Sequence, residues 1–175
     1  MLRIVQQSNA AAARSYYAKA DYYAEGAELP GLWGGRAAAL LGLSGEVERA
    51  DFHALCDNLD PRAGQPLTAR TKAQRTVLYD WSFDVPKAVS LLYELAGDER
   101  ILGVFQKAVR DTMTEAEAET KTRVRKRGAA EDRTTGNMAW ALFAHRTSRP
   151  SKEDRKPDPQ LHAHVTVFNA TWDAT

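Results

Sequence analysis

The chain has 175 residues, 43% of them hydrophobic and 27% charged, with 24 Lys and Arg against 23 Asp and Glu. That length suits one domain with a real core, and the near-neutral balance with four Trp argues against a disordered tail. The single Cys, Cys56, excludes an internal disulfide framework, and no run approaches the roughly 18 apolar residues of a membrane-spanning helix.

The N-terminal stretch MLRIVQQSN lacks the apolar segment of a secretion signal, so a soluble, cytoplasmic enzyme or binding domain is expected. Leu2–Gln6 alternates weakly and predicts a short first strand. Ser8 or Asn9 can cap a helix that starts in the Ala-rich run Ala10–Ala13 and carries Tyr16 and Tyr17. Pro30 and the glycines between Glu25 and Gly35 mark a loop, and short helices are expected at Ala37–Leu41 and around Glu46–Leu55. Asp60–Gln65 reads as a break. Thr76–Phe83 has the β-branched and aromatic content of a strand. Pro86 is placed at the first position of the next helix, PKAVSLLYELA.

Leu102, Phe105, Val109, Met113 and Ala116 step by three and four, predicting a long helix from about Asp98 to Lys126 that ends in a basic cluster. Strands are expected at Asn137–Arg146 and Gln160–Asn169, joined by a charged, Pro-containing loop. No internal repeat is visible. The pattern is α+β, with strands interrupted by helices rather than alternating with them.

Charge is unevenly distributed. Lys121–Asp158 carries +6 and the remainder −5. Such a local field favours a polyanionic partner; a solvated helix end followed by a charged loop is the plainer reading.

His162 and His164, two apart on a strand, point to one face and leave Leu161, Ala163, Val165 and Val167 on the other. The same parity sets His145 with Ala139, Ala141 and Phe143, away from Met138, Trp140, Leu142 and Ala144. If the two strands pair, three imidazoles can converge on one point of a polar sheet face. Three neutral imidazoles with open positions suit a divalent metal of the catalytic type, whereas a His pair alone can simply line a polar sheet face. His53, among Asp51, Phe52 and Leu55, reads as a surface or edge residue.

Tyr16, Tyr17, Tyr22 and Tyr23 are four of the six tyrosines. A phenol can attack phosphorus if its proton is drawn off, although tyrosine pairs also serve as packing or DNA-stacking residues. Asp80 lies in the strand LYDWSF with Leu78 and Ser82 on its face. A carboxylate inside an apolar strand needs a partner: a ligand histidine, or an ordinary structural hydrogen bond.

Taken together, SYYAKADYY (15–23), WGGRAAALLGLSGEV (33–47), DWSFDVPKAVSL (80–91), TTGNMAWALFAHRTSR (134–149) and DPQLHAHVTVFNAT (158–171) closely resemble the N-terminal relaxase domain of the MobF-type conjugative relaxases, the TraI/TrwC proteins of the HUH endonuclease superfamily. The stretches recur in family order across nearly the whole chain. The resemblance implies an α+β palm, an antiparallel sheet with helices packed on one face. It also implies site- and strand-specific nicking of single-stranded DNA at a plasmid origin of transfer, giving a 5′-phosphotyrosyl adduct and a free 3′-OH.

By position Tyr16 is then the nucleophile, at the head of the pair it forms with Tyr17, and Tyr22 or Tyr23 serves the later strand transfer. His145, His162 and His164 would hold Mg²⁺, Mn²⁺ or Zn²⁺, with Asp80 orienting a ligand histidine or helping deprotonate the tyrosine. Trp33 and the basic stretch would hold the strand by stacking and phosphate contacts. The implied setting is a cytoplasmic monomer with no membrane insertion, translocated with DNA to the recipient cell. A helicase domain, relaxosome accessory proteins and a secretion coupling protein are its implied partners.

A replication-initiator-like nickase of the same superfamily, or a non-catalytic metal-containing DNA-binding remnant, is the alternative. Residues 1–175 are read as the N-terminal part of a single relaxase domain, a catalytic core cut short; no GxxxxGK[ST] motif marks a helicase.

Overall fold

The computed structural model describes residues 1–19, 30–68, 72, 74–126, 129–148 and 157–174, with 15–19, 125, 126 and 129 described by backbone alone. Its elements in chain order are β1 (Leu2–Gln7), α1 (Ala10–Lys19), β2 (Leu32–Gly34), α2 (Arg36–Leu40), α3 (Arg49–Cys56), β3 (Leu78–Asp84), α4 (Lys87–Ala96), α5 (Glu99–Ala118), β4 (Lys121–Lys126), β5 (Ala129–Thr134), β6 (Trp140–Thr147) and β7 (Pro159–Phe168).

Five strands form one antiparallel sheet in the order β1-β3-β7-β6-β2, and β4-β5 is a separate hairpin. The central strand is β7, the last in the chain. Its alternation is as the sequence requires: Leu161, Ala163, Val165 and Val167 are buried on one face with Trp140, Leu142 and Ala144. Helices α4 and α5 cover that face through Tyr93, Leu102, Val109 and Met113. Ala139, Ala141, Phe143, Leu78 and Phe168 lie on the other face, beneath Ala13 of α1, Ala37 and Ala38 of α2, and Phe52, Leu55 and Cys56 of α3. The α+β class with an antiparallel sheet holds; the helices, however, divide between both faces, because both are apolar over β6 and β7.

Local signals account for the helix ends. The Asn9 side chain accepts from Ala12 N at 2.9 Å, the cap its position predicts. Gly97 ends α4 in the left-handed region at φ 61°, and Asp98 caps α5 by accepting from Arg100 N at 3.0 Å. Pro86 stands at the N-cap of α4 rather than at its first helical position.

Two expectations are corrected. The long helix stops at Ala118, and the basic cluster continues as β4. Past Ala116 the next inward helical positions are Glu119, Thr120 and Arg123, which offer no apolar surface to bury. The alternating KTRVRK instead pairs with β5, where Arg123 meets Asp132 at 3.1 Å.

The Gly-rich loop also yields to structure at its end, where Leu32–Gly34 pairs with β6. Trp33, read as an exposed stacking residue, is 9% exposed, and its ring lies 6.0 Å from that of Phe168. Glycine is required here: a Cβ on Gly34 would stand 2.1 Å from the Trp140 ring, and one on Gly35 (φ 91°) 2.1 Å from the Met138 carbonyl.

Candidate active site

Strand pairing builds the site. In the β6–β7 ladder His145 lies directly opposite His162, and in the β3–β7 ladder His164 lies opposite Ser82 and His162 opposite Asp84. The three imidazoles therefore meet on one face. Ring centres are 5.1 Å apart for His145–His162, 5.3 Å for His162–His164 and 5.9 Å for His145–His164. All three rings are half-buried. They occupy one end of the face, and the apolar core of α1–α3 occupies the other, so this is a polar patch at the border of a core rather than a polar face throughout.

Asp80 is 4% exposed and takes its place from the same alternation. Its carboxylate oxygens accept from His164 Nδ1 at 2.9 and 3.0 Å, and Ser82 Oγ lies 3.3 Å from the same nitrogen. The partner that the buried carboxylate needs is thus an imidazole of the cluster. His162 Nδ1 lies 2.9 Å from the Gln160 carbonyl, which can only accept. In its neutral form each ring then carries the proton on Nδ1 and leaves Nε2 as the lone-pair nitrogen.

Such hydrogen bonds are of the kind that outer partners of metal-ligating histidines make. An ion bound about 2.1 Å from each imidazole nitrogen stands about 3.2 Å from each ring centre, so tetrahedral placement spaces the centres by about 5 Å. The observed spacings fit. Among the described residues, no group of three or more His, Cys, Asp or Glu side chains is arranged to hold an ion as it stands.

Tyr16 and Tyr17 lie on α1, of which this part is described by backbone alone, and Tyr22 and Tyr23 lie outside the described residues. Helix α1 rests on the histidine-bearing face through the fully buried Ala13. An ion pair between Arg14 and Asp57 ties it to the end of α3.

His53, on α3, is half-buried rather than superficial, and its Nε2 has no hydrogen-bond partner among the described residues. Burial holds its pKa below the ordinary value, with Arg49 and Arg14 adding to the effect. Sequence reasoning missed Ser82 and Gln160 as supports. Ser82 shares the parity of Asp80 and was within reach of that rule, whereas a backbone carbonyl such as that of Gln160 leaves no trace in residue type.

With this geometry in hand, the relationships are direct. The family model described as TrwC relaxase matches residues 10–175. The chain belongs to the TrwC relaxase family. It is 35% identical over 172 residues to the multifunctional conjugation protein TraI of Escherichia coli (strain K12), an alignment covering 98% of this chain and 10% of that protein.

Among solved structures, it superposes on conjugative relaxase TrwC in complex with oriT DNA, in a metal-bound state, with a TM-score of 0.82 and 32% identity. That match covers 99% of this chain and 58% of the other. TrwC complexed with a 27-mer DNA comprising the recognition hairpin and the cleavage site matches at TM-score 0.79 and 31% identity, over 99% of this chain and 57% of that one. The chain therefore spans little more than half of these family structures and a tenth of the curated relative. No described helix is long and apolar enough to cross a membrane.

Proposed function

We propose that this chain is the nicking part of a conjugative relaxase, cutting one DNA strand at an origin of transfer by tyrosine transesterification. One observation carries the reading: three imidazoles gathered on a sheet face, one backed by the buried Asp80, on the same face as the helix that bears Tyr16 and Tyr17. Family membership supports it, as does TrwC, whose structures hold oriT DNA and a bound metal.

The phenolic oxygen of Tyr16 attacks the scissile phosphorus. The P–O3′ bond breaks, the 3′ oxygen takes up a proton, and the 5′ phosphate remains on the tyrosine. The phenol has a pKa of about 10 in water, so its proton must be drawn off during attack.

His145, His162 and His164 are the residues that would hold a divalent cation, their rings turning to share it. That ion would supply Lewis-acid stabilisation of the charge on the phosphate oxygens. Asp80 and the Gln160 carbonyl keep the Nε2 atoms of His164 and His162 turned to that task. Tyr22 or Tyr23 would accept the strand in the closing transfer. The bond energy kept in the phosphotyrosine lets the reaction reverse without ATP. A helicase region, relaxosome proteins, a secretion coupling protein and transfer to the recipient cell belong to this reading as well.

The test is covalent capture on denaturing gels, with single-stranded oligonucleotides from transfer origins and Mn²⁺ or Mg²⁺. The wild-type protein should form an adduct that Tyr16→Phe loses while Tyr17, Tyr22 and Tyr23 remain. Full adduct formation by Tyr16→Phe would overturn the nucleophile assignment. Binding without an adduct at any metal concentration would favour a DNA-binding remnant.

A further inference from the structure

We propose that Arg3 is a phosphate-binding residue of the active site, contacting the DNA phosphodiester next to the scissile one; this rests on the nicking reading above. The strand register carries the inference. Arg3 pairs with Ser82 across β1–β3, and Ser82 pairs with His164 across β3–β7. Residues directly opposite in antiparallel strands share a face, so Arg3, Ser82 and His164 form one row on the histidine-bearing side. Two strand spacings place the Arg3 backbone about 10 Å from that of His164, within the span of a long guanidinium arm and a phosphate held over the histidines.

Among the described residues, no acid pairs with that charge. The Arg3 side chain is exposed and makes no hydrogen bond or ion pair among the described residues. The two carboxylates of the same face that stand nearest are both engaged. Asp80 is bound to His164, and Asp84 Oδ1 accepts from Gln160 Nε2 at 3.1 Å. The strand bearing Arg3 is the outer edge of the sheet, and its start is fixed where the Met1 ammonium donates to the Asp84 carbonyl at 2.8 Å. A polyanionic strand approaching the histidines from this edge passes two buried or partnered acids and one open cation. A guanidinium is the group that suits a phosphodiester there, through two parallel N–H donors.

Arg3→Gln separates this role from general surface charge, with Arg110→Gln, an exposed cation on α5 across the sheet, as the control. Binding is followed by fluorescence anisotropy without added metal. On oligothymidylate of about 16 nucleotides, Arg3→Gln should weaken binding several-fold and flatten the slope of log K against log salt by about 0.7, one phosphate's share. This arm stands whether or not the chain nicks.

On an origin strand that gives the covalent adduct, single methylphosphonates are placed at each phosphate flanking the scissile one. The wild type and Arg110→Gln should lose affinity at one such position, and Arg3→Gln should be insensitive there. Arg3→Lys should restore part of the affinity. The proposal is overturned if Arg3→Gln binds with the wild-type slope, or if it weakens binding while every methylphosphonate effect persists. Absence of any wild-type adduct would instead count against the nicking reading alone.

Discussion

At the scale of single residues, the pair on which the proposed chemistry turns is Asp80 and His164. The carboxylate is buried, and its one described task is to accept from Nδ1 and so hold the ring's lone pair outward. Asp80→Asn keeps the shape and a single acceptor oxygen but removes the charge behind the ring. Outer partners of metal-ligating histidines are worth about 10- to 100-fold in metal affinity. Calorimetric titration of the Asp80→Asn protein with Mn²⁺ should show a loss of that size, and adduct formation should recover in part at high metal. An unchanged affinity would mean that His164 is not a ligand.

At the scale of elements, the question is what holds the tyrosine-bearing helix in place. Helix α1 rests on the sheet through Ala13 and is fastened at its side by the ion pair of Arg14 with Asp57, whose side chains are 35% and 36% exposed. A pair so open to water contributes about 0.2–1 kcal/mol. A double-mutant cycle of Arg14→Ala and Asp57→Ala in urea should return a coupling in that range. A coupling of zero would leave the packing of Ala10 and Ala13 as the described anchor.

The elements also differ in how legible they were. The alternation in β6 and β7 named both the buried face and the three histidines, because a period of two is written directly in residue type. The placement of α1 followed from Asn9 and the alanines for the same local reason. The short strand at Leu32–Gly34 was hidden behind its glycines, whose role is to let the backbone pass close to Trp140, a long-range packing fact. The β4–β5 hairpin was hidden because KTRVRK serves equally as a basic helix end, and its strand pairing depends on partners such as Asp132. That Asp80 and Ser82 would meet His164 in particular depended on register between strands more than seventy residues apart, whereas the Gln160 carbonyl lies only two residues from His162 and is invisible in residue type.

At the scale of the whole molecule, two cores flank one sheet, and Cys56 reports on one of them. The thiol lies in the core beneath α1–α3 with no exposed surface, and its pKa is pushed up from 9.0 to about 12 by burial first and by Asp57 second. Folding therefore favours the neutral thiol. That contribution is whole below about pH 9 and is lost as the pH climbs toward 12. Alkylation by iodoacetamide between pH 7 and 9 should be at least about a thousandfold slower in the folded protein than in urea. It should track unfolding of this core, and rapid labelling in native buffer would show that the α1–α3 layer opens on its own.

The position of β7 at the centre of the sheet sets an order of events in time. Its neighbours β3 and β6 are made first, and the strand that joins them leaves the ribosome after both. Until it inserts, His162 and His164 are absent from the face, and Asp80 has no imidazole to orient. Pairings over such sequence separations close slowly, after the local helices have formed. If the proposed nicking chemistry holds, a nascent chain carries its tyrosines well before it can assemble the histidine cluster, so that a half-made polypeptide meets DNA chemically silent.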